Sequence, residues 1–227
     1  MLVDLLLLTI IGCLLEGFAS AISTIVFVGT PSFTFALLIT FIAVCRWNLW
    51  GLLVIPFMAL ANMIGGMNSQ LDYLGKVYDW RFMLSSALGL TTVGLNVVFF
   101  KRKGTNQIIN SQGGLAGLII MDYLLYSTIQ FLVYRLLTSG TILHNGEILY
   151  EYMKYIPETE TLKPTTVNLC LFGENALVYN LFGLAVTFLG LYVLRSQGVV
   201  DNVIDKLKRD REEMQLSRIN NDDFSIK

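Results

Sequence analysis

The chain has 227 residues, 54% of them hydrophobic and 15% charged, with a formal net charge of −1 at pH 7. A mean hydropathy of +0.61 excludes an ordinary soluble domain, and the near-neutral charge balance gives no footprint for nucleic acid. Of the three cysteines, Cys13 and Cys45 lie in apolar segments and Cys170 near an aqueous boundary, so they form neither a disulfide framework nor a metal-ligand spacing, and no cofactor is implied.

Crossing roughly 30 Å of hydrocarbon takes about 20 apolar residues, and runs of that kind recur along nearly the whole chain. They predict an all-α integral membrane protein of about six transmembrane helices, at about 3–28, 32–46, 49–67, 82–100, 114–137 and 173–195. The first run carries Asp4 in place of a basic leader and continues past the apolar core of a signal peptide, so it reads as a retained helix. Within it, Gly17-Phe-Ala-Ser-Ala21, continued by Ser23 and Thr24, forms a narrow strip of small side chains. Such a strip lets another helix approach closely, either within this protein or on a separate membrane subunit.

Gly29-Thr30-Pro31 separates the first two helices, because proline suits a first helical turn and glycine relaxes the backbone before it. Arg46-Trp47-Asn48 with Trp50 reads as a tight interfacial turn, its rings at headgroup level and its guanidinium reaching water. Arg46, the run Lys101, Arg102 and Lys103, and Arg195 with Lys206, Lys208, Arg209 and Arg211 all fall on one side of a six-span arrangement. The positive-inside rule makes that side, and both termini, cytoplasmic. The opposite side receives a very short first loop, a loop at about 68–81 and a long, acidic, tyrosine-rich loop at about 138–172.

Polar residues at membrane depth carry the functional information. Asp122, Tyr126, Gln130 and Tyr134 recur every four positions along the fifth helix, on one slowly drifting face. A charge at that depth costs at least a few kcal/mol, so Asp122 and Glu16 are expected to face protein or water, or to stay protonated. Towards the outer side, Asn62 is followed by Asn68, Gln70, Asp72, Tyr73, Lys76, Tyr78, Asp79, Trp80 and Arg81, and the last helix opens with Glu174 and Asn175 and places Tyr179 one turn below. The long loop adds His144, Asn145, Glu147, Tyr150 and Tyr152. Rings alternating with amides and charges suit a site that stacks a flat molecule and orients its polar groups. They also suit the ordinary aromatic belt.

Catalytic templates fail. His144 is the single histidine and has no evident nucleophile or metal partner in sequence, and Gly75-Lys76 lacks the glycine spacing that cradles phosphates. ATP hydrolysis, if transport needs it, belongs to another chain. After Gly198 the composition changes abruptly: Val200, Val203, Ile204 and Leu207 keep helical spacing while charged residues fill the remaining positions. The chain therefore divides into a transmembrane domain at 1–197 and a cytosolic, charged, helical tail at 198–227.

With Gly17 and Ala21 spaced as they are, the chain resembles the S components of energy-coupling factor (ECF) transporters, the substrate-capturing subunits for vitamins and related micronutrients. The stretch Pro31-Ser-Phe-Thr-Phe-Ala36 through Arg46-Trp-Asn-Leu-Trp-Gly51, with Pro56, Ala61-Asn62 and Gly65-Gly66, is similar to the second and third helices of that family. The resemblance implies a multi-pass protein of the bacterial cytoplasmic membrane that captures a small nutrient on the outer side without catalysis. A ringed vitamin such as thiamin, riboflavin, folate, pyridoxine or cobalamin suits the aromatic mouth. Partners would be a transmembrane scaffold subunit and two ATPase subunits. On this reading Asn62, Asn68, Asp72, Tyr73, Trp80, Gln130, His144, Asn175 and Tyr179 contact substrate. Gly17 and Ala21 then couple to the scaffold, where the family has an alanine-x-x-x-alanine motif and glycine here replaces the first alanine. A self-sufficient secondary transporter or channel with Asp122 and Glu16 as a proton relay, and a membrane enzyme, remain as alternatives.

Overall fold

A computed structural model of the chain describes the backbone of residues 1–26, 34–68, 80–138, 141–142, 147–156, 161–170 and 174–224, and side chains over 1–19, 34–64, 80–137 and 181–214. Helix α1 runs Leu2–Val26, α2 Ala36–Trp47 and α3 Ile55–Asn68, with a 3-10 segment Asn48–Val54 between the last two. Helix α4, Trp80–Thr91, leads through a second 3-10 segment, Thr92–Leu95, into α5, Asn96–Lys103. A short helix α6, Thr105–Asn110, precedes the long α7, Gln112–Thr138. Helix α8, Glu174–Ser196, and α9, Val203–Phe224, complete the helical part. The first, second, fifth and sixth expected helices fall within a few residues of these bounds, whereas the third begins at Ile55 instead of about 49 and the fourth is interrupted at Thr92–Leu95.

Among the described residues, four stretches are long and apolar enough to cross a membrane: Leu2–Ala19, Ala36–Ile64, Trp80–Lys103 and Gln112–Leu137. The second is not one rod. Its backbone turns at Asn48, with φ 52° and ψ −134°, a left-handed φ that asparagine tolerates better than most residues. Gly51 then lies directly on the Ala43 and Val44 backbone, so the chain folds back on α2. The sharp turn expected at 46–48 is present, but its side chains behave differently from the expectation. Trp50 is exposed, whereas Trp47 is buried, and Arg46 is held by protein groups rather than reaching freely to water.

Helix α2 is the centre of the bundle. Every residue of it except Arg46 is buried, which fits a helix apolar on all sides. Helix α1 packs on α2 and α3, α3 on α4, α4 on α7, and α7 on α8, while α8 and α9 touch α2. The outward faces stay apolar: Leu2, Leu6, Leu14, Leu124 and Leu189 are all exposed, as suits a surface solvated by lipid.

Between α7 and α8 the helical bundle is interrupted. The segment read as a long loop carries three antiparallel strands, β1 Thr141–Ile142, β2 Glu147–Ile156 and β3 Thr161–Cys170, in the order β1-β2-β3. Glu147 pairs with Cys170 and Ile156 with Thr161. Ile148, Tyr150, Tyr152, Thr165 and Val167 are β-branched or aromatic residues that favour a pleated surface. Pro164 sits on β3, an edge strand, where a missing N–H is tolerated.

One end of the bundle is closed by a polar network joining distant parts of the chain. Arg46 forms an ion pair with Asp4, donating Nε–H to Oδ2 at 2.9 Å and Nη2–H to Oδ1 at 3.1 Å. Its Nη1–H donates to the Val199 carbonyl at 2.7 Å, and the Trp47 indole N–H donates to Asp4. Asn202 donates to Asn48 Oδ1 and Thr105 Oγ1 at 3.2 and 3.1 Å, and Arg195 donates to the Ile109 carbonyl at 3.2 Å. The start of α1, the 46–48 turn, the α5–α6 junction and the start of the tail thus share one end, as the distribution of basic residues predicts. The tail's apolar residues grade outward: Val200 is buried, Val203 and Ile204 pack against the core, and Leu207 is exposed.

Candidate functional site

Away from the closed end, buried polar side chains from three helices converge. Asn62 of α3 is 7% exposed, and its Nδ2 donates to Ser86 Oγ of α4 at 3.1 Å and to Tyr126 Oη of α7 at 3.3 Å. Ser86 and Tyr126 share a further hydrogen bond at 3.4 Å, and Gln130, one turn beyond Tyr126 on the same face, lies beside the same hydroxyl. Next to it Tyr134 is fully buried and meets Phe82 edge to face, centroids 6.3 Å apart. The periodic face read from α7 is therefore the face that packs on α4. Close approach is possible because Gly89 has no side chain: a Cβ there would lie 2.9 Å from the Tyr126 ring.

Glu16 is 3% exposed and is explained by a cap. Its Oε1 accepts hydrogen bonds from Thr34 Oγ1 and from the Ala36 backbone N–H, each at 2.6 Å. A carboxyl from α1 thus satisfies an orphan donor at the start of α2, where a helix end favours an acceptor. It faces protein, as expected for a polar group at that depth. Asp122 also faces protein, and its Oδ2 accepts from Asn96 Nδ2.

No family model, curated protein or solved structure matches the chain. The residues themselves therefore carry the functional argument.

Of the residues expected at a ligand, Asn62 and Gln130 come together around Tyr126. Trp80 opens α4, 56% exposed, with the Arg81 guanidinium 5.7 Å from its ring centroid. It does not join the buried cluster. Asn68, Asn175 and Tyr179 fall on α3 and α8, but their side chains lie outside the described residues, as do Asp72, Tyr73 and His144 altogether. Gly17 is exposed, and among the described residues a Cβ at this position meets nothing within 4 Å, so the internal-packing alternative finds no described neighbour there. The side chain of Ala21 lies outside the described residues. Ser86 and Asn96 escape the sequence reading. Serine within a helix is commonly occupied by its own backbone and gives little signal, whereas Asn96, an amide in an apolar run, was as visible as Asn62. Among the described residues no group of three or more histidine, cysteine or acidic side chains could hold a metal ion.

Proposed function

We propose that this protein is the substrate-capturing S component of an ECF-type transporter in the bacterial cytoplasmic membrane, with six membrane-crossing helices and both termini in the cytoplasm. It binds a small ringed nutrient at the outer end and releases it inward when docked on a transmembrane scaffold driven by two ATPases. The observation that carries this reading is the buried cluster of Asn62, Ser86 and Tyr126, with half-buried Gln130 beside it, contributed by α3, α4 and α7 and set away from the closed end. Such a cluster suits the floor of a binding cavity, offering amide and hydroxyl groups to the polar edge of a planar molecule. Asn68, Asp72, Tyr73, Trp80, His144, Asn175 and Tyr179 would wall the cavity above it. The bare surface at Gly17 supports docking of a scaffold helix there, with Ala21 one turn further on.

Two substitutions test the two halves of the reading. Asn62→Leu removes the amide while keeping side-chain bulk, and leaves Ser86 and Tyr126 without their shared donor. Each lost ligand hydrogen bond is worth about 1–3 kcal/mol, so binding of the preferred ringed vitamin to detergent-purified protein should fall about tenfold or more. Retention of full affinity would remove Asn62 from the site. Gly17→Leu should leave that affinity unchanged while cutting uptake into cells about tenfold or more, because a branched side chain holds a partner backbone away. Wild-type uptake by the Gly17→Leu protein would overturn the coupling role.

The secondary-transporter reading is less well supported, because Glu16 is committed to capping α2 and Asp122 to Asn96.

A further inference from the structure

Glu16 and Asp122 are both buried carboxyls, but their surroundings differ in kind. Glu16 is met by donors, whereas Asp122 is met by an amide that brings an acceptor with it. Asp122 and Asn96 are each 0% exposed, and one hydrogen bond joins them, from Asn96 Nδ2 to Asp122 Oδ2. Both second oxygens, Asp122 Oδ1 and Asn96 Oδ1, are buried without a hydrogen-bond partner. An ionised carboxyl there would leave two buried acceptors unsatisfied in an apolar bundle, a costly arrangement that native structures avoid.

We propose that Asp122 and Asn96 form a closed acid–amide pair that holds a proton. Asp122 carries the proton on Oδ1 and donates it to Asn96 Oδ1, while Asn96 Nδ2–H donates to Asp122 Oδ2. A single proton turns one acceptor into a donor and satisfies both orphan atoms together. Among the described residues no neighbouring group supplies that donor instead. Cys45 of α2 is buried close by, yet Asp122 Oδ1 has no partner. Tyr126, one turn along α7, is engaged with Asn62 and Ser86, the Tyr123 hydroxyl lies against Gly183 of α8, Arg195 of α8 is turned to the Ile109 carbonyl, and Lys101 at the end of α5 is exposed.

The site has a mechanical place in the fold. Asn96 is the first residue of α5, directly after the 3-10 segment Thr92–Leu95, and a 3-10 stretch within a helix is a natural point of bending. The pair fastens that break to α7. Separating the two helices exposes both polar groups at once, so the clasp stays shut while its proton is in place. Asp122 is thus a proton-occupied structural site and not a relay.

The test is isotope-edited infrared spectroscopy on the detergent-purified full chain, with aspartate carrying carbon-13 in its side-chain carboxyl. The wild type at neutral pH should show a protonated-carboxyl C=O band that moves with the label and is missing from Asp122→Asn. The same variant keeps two donors and two acceptors as an amide–amide pair, so it should melt close to the wild type, while Asp122→Leu should melt well below it. If Asp122→Asn does not fold, Asn96→Leu provides the assignment by moving the band to the frequency of a carboxyl that has lost its partner. A wild-type spectrum without a protonated aspartate band at neutral pH, a band that persists in Asp122→Asn, or a band unmoved in Asn96→Leu would overturn the proposal. None of these outcomes depends on what the protein transports.

Discussion

Gly51→Ala is expected to be among the most damaging single-methyl changes in the chain, destabilising it by about 3 kcal/mol or more. A Cβ at this position runs into the backbone of Ala43 and Val44, on the inner strand of the reversal that begins at Asn48. Overpacking usually costs about 1–3 kcal/mol because side chains can shift, but here the obstructing atoms are main chain and belong to the most buried helix of the bundle. The two arms must separate, taking the burial of α2 with them. Open positions give the control, because Gly17 and Gly113 have nothing within 4 Å of a built Cβ. Alanine at either should be neutral or slightly stabilising, since it restricts the unfolded chain. Thermal unfolding of the three purified variants checks this; Gly51→Ala melting with the wild type would show that the reversal at Asn48 is wrong.

The second large effect is expected at Arg46. Replacement by leucine removes two hydrogen bonds to Asp4 and one to the Val199 carbonyl, leaving Asp4 with the Trp47 indole alone. Breaking a fully buried ion pair costs about 3–5 kcal/mol. Asp4 and Arg46 side chains are 30% and 20% exposed, so a loss of about 2–3 kcal/mol is expected after discounting for solvent. Arg46→Leu should also free the start of the tail, read as faster limited proteolysis after Val199. The double variant Asp4→Leu, Arg46→Leu should recover part of the stability, because the uncompensated carboxylate is gone. A double variant no better than the sum of two independent losses would show that the pair is not coupled.

Much of this fold is legible in the sequence because membrane helices are set by length, hydropathy and breakers, all of which are local. The helix positions, the reversal at 46–48, the clustering of basic segments at one end and the polar face of α7 follow from residues within a few turns of each other. Partners distant in sequence are not legible in the same way. Asp4 signals only that a basic leader is missing until the fold brings Arg46 beside it, 42 positions away. Glu16 reads as a buried charge in need of a reason, and the reason is a backbone N–H at Ala36, a group every residue but proline possesses. The strands between α7 and α8 were readable, since Ile148, Tyr150 and Tyr152 alternate along β2. Their signal is masked by acidic and basic residues between them, which also mark a solvated loop.

At the candidate site, Asn62, Gln130 and Tyr126 stand out as polar groups in apolar runs, and the fold unites them. Trp80, by contrast, stands out only by its type and its place at a helix start, and the fold leaves it exposed beside Arg81. Aromatic residues at a membrane boundary serve the interface as readily as a ligand. A buried amide has no such second use, because it must find a partner.

The central claim, that this chain captures a nutrient for an ATP-driven scaffold, is tested most directly by purifying it from native membranes in mild detergent and identifying both the proteins and the small molecules that come with it. A membrane scaffold, two ATPases and a ringed vitamin released on denaturation should come with it. A single protein with no bound small molecule would contradict it.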